Sequence, residues 1–251
     1  VDDPRRIDSY GHEHEPFHDA QILVRADAAR AMGEVFRQRW TAVTGEHPRV
    51  ASRAEPLDLP HGPWTFTSAE AALALTVPVP EDDPVRENEA LFEDMFRAAK
   101  DRIYIENQYL TDRGLGLLLC ERLREENGPE IIVVGPRETA NWLEEMTVGL
   151  LRWRVIDMLR EADEHDRLRI LYPMASRKDD VATYVHIKLL IIDRRFLRIG
   201  SANFSSRSLR LDTELDVAIE LDDEHRETLH RLEMSLLAEH FGIETDEVAE
   251  M

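Results

Sequence analysis

The sequence predicts an α/β fold, layered so that helices cover both faces of a sheet. Two observations carry this prediction. Beyond residue 84, strand-like and helix-like apolar patterns alternate along the chain, and such alternation builds layered α/β domains. The longest apolar runs, residues 189–192 and 131–134, are short and suit buried strands.

Taken in order, residues 1–16 are polar and charged and read as an irregular loop. Residues 20–24 read as a short strand, and residues 27–40 as an amphipathic helix with Ala31, Val35 and Phe36 inward. Pro48, Pro56, Pro60 and Pro63 punctuate a connector. Residues 71–77 can form a strand, closed by Pro78, Pro80 and Pro84, and a boundary is expected there, separating residues 1–83 from residues 84–251. Helices follow at 87–99, 112–126 and 139–162, and strands at 102–106, 131–134 and 168–172. Residues 184–192 and 196–199 read as a strand pair joined by Asp193-Arg194-Arg195. A strand at 215–221 and a helix at 224–240 complete the pattern.

One internal similarity stands out. His18-Asp19-Ala20-Gln21-Ile22-Leu23-Val24 precedes a helix, as does Thr213-Glu214-Leu215-Asp216-Val217-Ala218-Ile219. Each unit opens a strand-like stretch with an acidic residue. The match is short enough to arise by chance, but it suggests a duplicated fold whose first copy is cut short.

Composition limits the classes of partner. The 251 residues are 43% hydrophobic and 33% charged, ordinary for a soluble globular protein. No stretch nears the roughly 18 to 20 apolar residues that a membrane span needs. The net charge of −20 opposes nucleic-acid binding, whose affinity comes largely from neutralising phosphates. It also opposes adsorption to anionic membranes, although a local basic pocket stays compatible with it. The single cysteine, Cys120, excludes an internal disulfide and reads as a buried, inert thiol. Location is expected to be cytoplasmic or peripheral to a membrane. Because the first residue is Val1, a targeting signal upstream is left open.

Several features read more simply as structure. His12, Glu13, His14, Glu15 and His18 resemble a metal cluster but lie in a polar, unpatterned segment. Gly114-Leu115-Gly116 after Asp112 reads as a helix start. Trp142, Met146, Leu150, Trp153 and Leu159 form a helical stripe that reads as core packing, with a lipid-facing surface as the alternative. Arg177 and Lys178 read as a solvated loop that could meet a head group.

The chemistry concentrates later in the chain. On a strand, His186 and Lys188 share a face, with Cα atoms roughly 6.6 Å apart at the usual rise per residue. Their flanks, Val185, Ile187 and residues 189–192, are apolar, so the lysine sits where an unpaired cation is costly and wants an anion. Gly200-Ser201-Ala202-Asn203 follows the next strand. Glycine permits close backbone approach to a ligand, and serine and asparagine offer neutral donors. His-x-Lys, four residues, Asp193, six residues and Gly-Ser-x-Asn fix six positions within eighteen.

This constellation resembles the phospholipase D superfamily, whose signature is HxKxxxxD followed by GSxN. His186, Lys188, Asp193, Gly200, Ser201 and Asn203 match it without a gap. Ile103-Tyr104-Ile105-Glu106-Asn107-Gln108-Tyr109 is similar to a strand of the phospholipases, and Asp212-Thr213-Glu214 also fits. The resemblance implies a layered sandwich around a central mixed β-sheet, a phospholipid substrate, transient contact with a membrane surface and no metal or other cofactor. It implies two His-x-Lys motifs around one phosphodiester: one histidine attacks phosphorus and the other protonates the leaving alcohol. His186 would be one of that pair, its role open. Lys188 and Asn203 would hold phosphoryl oxygens. Glu214 would orient the His186 imidazole, Asp193 would be structural, and by the internal repeat Asp19 would be the orienting acid of the other half-site.

The chain departs from the family pattern in having one His-x-Lys. The resemblance therefore implies that residues 1–83 hold the tail of a truncated first half plus a Pro-rich linker, and residues 84–251 the second, C-terminal half. The missing motif is expected upstream of Val1, or else in a second copy of the chain; alone, this stretch is expected to be inactive. Hydrolysis of phospholipids is the leading expectation. A phosphatidyltransferase of the cardiolipin-synthase kind is the alternative, and a homodimeric single-motif nuclease a weaker one.

Overall fold

A computed structural model describes residues 15–50, 62–67, 69–78, 84–138, 145–176 and 178–248. The first part holds β1 (Phe17–His18), α1 (Ala26–Thr44), β2 (Glu70–Val77), β3 (Val85–Arg86) and α2 (Glu87–Ala98). Next come β4 (Arg102–Asn107), α3 (Arg113–Arg124), β5 (Glu130–Val134), a π-helical turn (Glu145–Gly149) running into α4 (Leu150–Ala162), and β6 (Leu168–Leu171). The stretch carrying the His-x-Lys motif contributes β7 (Met174–Ser176), β8 (Val181–Ala182), β9 (Tyr184–Val185), β10 (Lys188–Ile192) and β11 (Phe196–Gly200). The chain then forms α5 (Ser206–Arg210), β12 (Glu214–Glu220), α6 (Asp223–Phe241) and α7 (Thr245–Val248).

Eight strands make one mixed sheet in the order β3-β2-β12-β11-β10-β4-β5-β6. Pairing is antiparallel from β3 to β4 and parallel from β4 through β6. Strand β2, on the first side of the expected boundary at residue 84, thus lies inside the sheet beside β12.

Alternation along the strands sorts side chains to two cores. Ile103, Ile105, Ile131, Val133, Leu190 and Ile192 pack under α2, α3 and α4 through Phe92, Phe96, Leu119, Leu123 and Leu159. Tyr104, Ile132, Leu189, Ile191, Val217 and Ile219 meet α6 through Leu229, Met234 and Leu237. This is the expected α/β/α sandwich. Every residue of β10 is buried, as its uninterrupted apolar run implies. Helix α3 starts where Asp112 caps the Leu115 amide, 2.9 Å away, so the Gly114-Leu115-Gly116 stretch is a helix start. Cys120 is buried beside it.

Four expectations need correction. Residues 184–192 are not one strand: the ladder breaks at His186 and Ile187, whose amides both donate to the His18 carbonyl, at 2.9 and 3.3 Å. Residues 20–24 form no strand; the strand of this unit is the two-residue β1, paired in parallel with β9. Helix α1 exists but buries no side chain. Ala31 and Phe36 are exposed and Val35 half-buried, and Met32 is the α1 residue that packs on the α6 core. The stripe on α4 divides as well, since Leu159 is in the core while Met146, Leu150 and Trp153 are exposed. Trp142, Arg177, His12, Glu13 and His14 lie outside the described residues.

Candidate active site

The break between β9 and β10 sets the site. With Val185 and Ile187 fully buried on either side, the His186 side chain is turned out to solvent's edge and meets residue 19. His186 Nδ1 lies 2.9 Å from Asp19 Oδ2. A carboxylate there holds the proton on Nδ1, leaving Nε2 as the nitrogen with a free lone pair. The Phe17 ring stands beside the imidazole, centroids 5.2 Å apart. The carboxylate on His186 Nδ1 is therefore that of Asp19, from the first segment, where Glu214 was expected; Glu214 instead accepts from Ser201.

Lys188 begins β10 at the same edge, opposite Asn107 at the end of β4. Its ammonium donates to the His186 carbonyl and to Gln108 Oε1, the latter at 3.1 Å. Burial pushes its pKa down to about 8, against the upward pull of Asp19 and Glu214. Asn203 follows β11. Its Oδ1 is buried and has no hydrogen-bond partner among the described residues. Asn107 fixes the Asn203 loop by accepting the Phe204 amide at 3.0 Å. Lys188 thus brings a cation to the edge that carries His186, whose carbonyl it contacts.

The remaining motif residues build the frame. Asp193 sits in the β10–β11 hairpin with φ of 51°, a conformation that aspartate tolerates. Its carboxylate accepts the backbone amides of Lys100, Asp101 and Arg102, each at 2.8 Å, and so ties the hairpin to the start of β4. Gly200 has a packing reason to be glycine. A Cβ there would fall 2.5 Å from the Cα of Asp216, so glycine is what lets β11 and β12 close around that residue. Asp216 then accepts the Ala202 amide at 3.0 Å and pairs with Arg198, both side chains fully buried. Arg198 also donates to the Ala202 carbonyl at 2.7 Å and stacks over Phe92 at 4.0 Å. Ser201 donates to Glu214 Oε2 at 2.5 Å and accepts the Leu215 amide at 3.1 Å. Burial raises the Glu214 pKa, opposed by hydrogen bonds from Ser201 and Ser208 and assisted by Asp216 and Asp212.

Sequence reading overlooked a second polar cluster. Glu106 is fully buried. It accepts from His18 Nε2 at 2.7 Å, from His240 Nε2 at 3.0 Å and from the Tyr104 hydroxyl. Burial favours its neutral form, but the hydrogen bonds and charges of His18 and His240 outweigh that and hold its pKa at about 2. Among the described residues, His18, Glu106 and His240 form the group of side chains able to hold a metal, with ligand atoms all within 4.8 Å of one another. The signal available in the sequence was a carboxylate, Glu106, closing an otherwise apolar strand.

Comparison with protein families gives a match to the family described as cardiolipin synthase, PLD-like domain, over residues 92–235. No curated protein matches the chain. Among solved structures, the chain is similar to phosphatidylserine synthase of Haemophilus influenzae Rd KW20, at 17% identity and a TM-score of 0.53. That superposition covers 87% of this chain and 48% of the synthase, so the chain spans about half the synthase's length. It is also similar to NucT from Helicobacter pylori, at 17% identity over 69% of this chain and 97% of that one, TM-score 0.47. The phospholipase D family member Nuc from Salmonella typhimurium gives 14% identity, coverage of 65% and 90%, and a TM-score of 0.46. The synthase shares the layered fold with its central mixed sheet. The family match spans more than half of the 251 residues and contains His186, Lys188, Asn203 and Glu214: the chain belongs to the phospholipase D-like family.

Proposed function

We propose that this chain carries one catalytic half of a phosphodiester-transfer enzyme acting on phospholipids. The observation that carries the reading is the Asp19–His186 hydrogen bond of 2.9 Å. It fixes the tautomer in which Nε2 can attack phosphorus or, once protonated, deliver a proton to a leaving oxygen. In the first step an imidazole Nε2 forms a bond to phosphorus and the ester P–O bond breaks. The leaving alkoxide takes its proton from a second imidazole. Water or an alcohol, deprotonated by that second imidazole, then attacks phosphorus and breaks the N–P bond. Lys188 and Asn203 stabilise the charge on the phosphoryl oxygens throughout.

The reaction needs a second His-x-Lys, and none of the other nine histidines has lysine two residues on. We assign the partner motif to sequence upstream of Val1, with a second copy of the chain as the other source. Asp19 serving His186 leaves Glu214, held by Ser201, as the acid for that second imidazole. The complete natural polypeptide should release head group from phosphatidylcholine or phosphatidylethanolamine vesicles, and His186→Ala should abolish release. Turnover unchanged by that substitution would sink the mechanism. Transfer to an alcohol is the second reading, favoured by the description of the family model. Phosphatidylglycerol or glycerol supplied as acceptor, with identification of products, separates the two. The net charge of −20 weighs against a nucleic-acid substrate.

A further inference from the structure

His18 is the one buried side chain between residues 15 and 50. Phe17 before it is 51% exposed, and Asp19 after it is exposed. All of its side-chain partners come from the body of the fold. Glu106 of β4 accepts from Nε2, and Glu239 near the end of α6 lies 3.5 Å from Nδ1. His240 crosses the ring edge-on at 4.7 Å and donates to the other Glu106 oxygen, and Tyr104 adds its hydroxyl. The backbone of the same residue receives the amides of His186 and Ile187. His18 is therefore fixed at both ends, and the next residue is Asp19.

We propose that His18 is a positioning residue: clamped by Glu106 and His240, it registers the strap of residues 15–24 so that Asp19 meets His186. The inference rests on reading His186 as the reacting imidazole. Without the His18 side chain the strap keeps its backbone bonds to residues 184–187 and half-buried contacts, with no buried side chain to anchor the carboxylate in register. The clamp is a charged hydrogen-bond network. An imidazole facing carboxylates with both nitrogens is doubly protonated. In keeping with that, burial lowers the His18 pKa, but hydrogen bonds and charges of Glu106 and Glu239 outweigh it and raise the value to about 10. That preference works against a metal ion, which needs the ring deprotonated.

The test uses the complete natural polypeptide, with His18→Leu, His18→Gln, Glu106→Gln, Asp19→Asn and the double variant His18→Leu/Asp19→Asn. Nitrogen NMR of the His186 ring reports which nitrogen carries the proton. His18→Leu and Glu106→Gln should move it away from Nδ1, as should Asp19→Asn. A ring unmoved by both overturns the proposal, whatever the activity. In steady-state assays His18→Leu should lower kcat about tenfold or more with KM within about twofold. The double variant should be no slower than Asp19→Asn alone, and His18→Gln, which keeps a donor for Glu106, should recover part of the loss. Additive losses overturn the clamp. A proton shift in the ring of a protein that turns over no phosphodiester supports the clamp and rejects the function. If His18→Leu does not fold, Glu106→Gln carries the same readouts. Zinc raising the melting temperature of wild type but not of His18→Gln would overturn the proton-shared network in favour of a metal site.

Discussion

Asp19 Oδ2 and His186 Nδ1 share a 2.9 Å hydrogen bond across 167 positions of sequence. In the proposed mechanism the bond makes the first segment a participant in the chemistry of the second. Asp19→Asn should lower kcat by about 10²- to 10⁴-fold, the range that a correctly poised acid–base group contributes, with little change in KM. Steady-state kinetics on the complete enzyme checks this. A kcat equal to wild type would place the orienting acid elsewhere.

Asp193 belongs to the family signature, but among the described residues its carboxylate hydrogen-bonds to backbone: the amides of Lys100, Asp101 and Arg102, each at 2.8 Å. Its removal should act on folding. Asp193→Ala is expected to cost about 1–3 kcal/mol of stability, the scale of lost hydrogen bonds to a charged group that solvent partly replaces. Activity per folded molecule should change by less than about tenfold, equivalent to ~1.4 kcal/mol of barrier. Urea unfolding beside active-site titration separates the two effects. A selective loss of kcat at unchanged stability would make Asp193 part of the reacting machinery.

Gly200 faces the backbone of Asp216, with 2.5 Å between an added Cβ and the Asp216 Cα. Gly200→Ala should therefore destabilise by about 3 kcal/mol, at the upper end of overpacking costs. Trimming the neighbour should not help, because the clash includes main chain. The double variant Gly200→Ala/Asp216→Ala should be less stable still, since it also strands Arg198, which is fully buried against Asp216, without its partner. Thermal melts of Gly200→Ala, Asp216→Ala and the double variant decide the point: recovery in the double variant would show that the side chain alone imposes glycine.

The sheet and its covering helices were legible because buried strands write themselves as apolar runs. Residues 131–134 and 189–192 lie within β5 and β10 as read. The break at His186 was not legible. It depends on the His18 carbonyl capturing two successive amides, a contact from a segment far away in sequence that no local period encodes. The same distance explains why Asp19 rather than Glu214 stands on His186: the contact is made by the docking of β1 against β9. Helix α1 failed differently: its apolar residues gave a helical period, yet Phe36 is 59% exposed, so periodicity identified the helix and misjudged its inward face.

The Glu106 cluster makes stability depend on pH with a definite sign. The His18 pKa is raised from 6.5 to about 10, so its contribution is fully present below the unfolded value and is lost as pH rises through the folded one. The Glu106 pKa is lowered from 4.5 to about 2, so its contribution holds above the unfolded value and is lost as pH falls through the folded one. The melting temperature should thus fall from pH 6.5 towards pH 10, with a separate decline in acid. His18→Gln should flatten the alkaline limb and leave other groups' contributions in place. An alkaline limb of unchanged slope in that variant would assign it to another group.

Lys188 titrates where an assay can reach it. Burial lowers its pKa from 10.5 to about 8, with Asp19 and Glu214 opposing, and only the ammonium form neutralises a phosphoryl oxygen. Sulfate keeps its charge across this range, so a change in its binding to the complete enzyme reports on groups of the protein, and the Lys188 variants isolate the lysine. Affinity should be flat below that pKa and fall by about tenfold per pH unit above it. Lys188→Arg should move the step out of range, because guanidinium stays charged throughout, while Lys188→Met should weaken binding at every pH. A wild-type profile without a step, matching that of Lys188→Arg, would mean that the anion is held by groups other than Lys188.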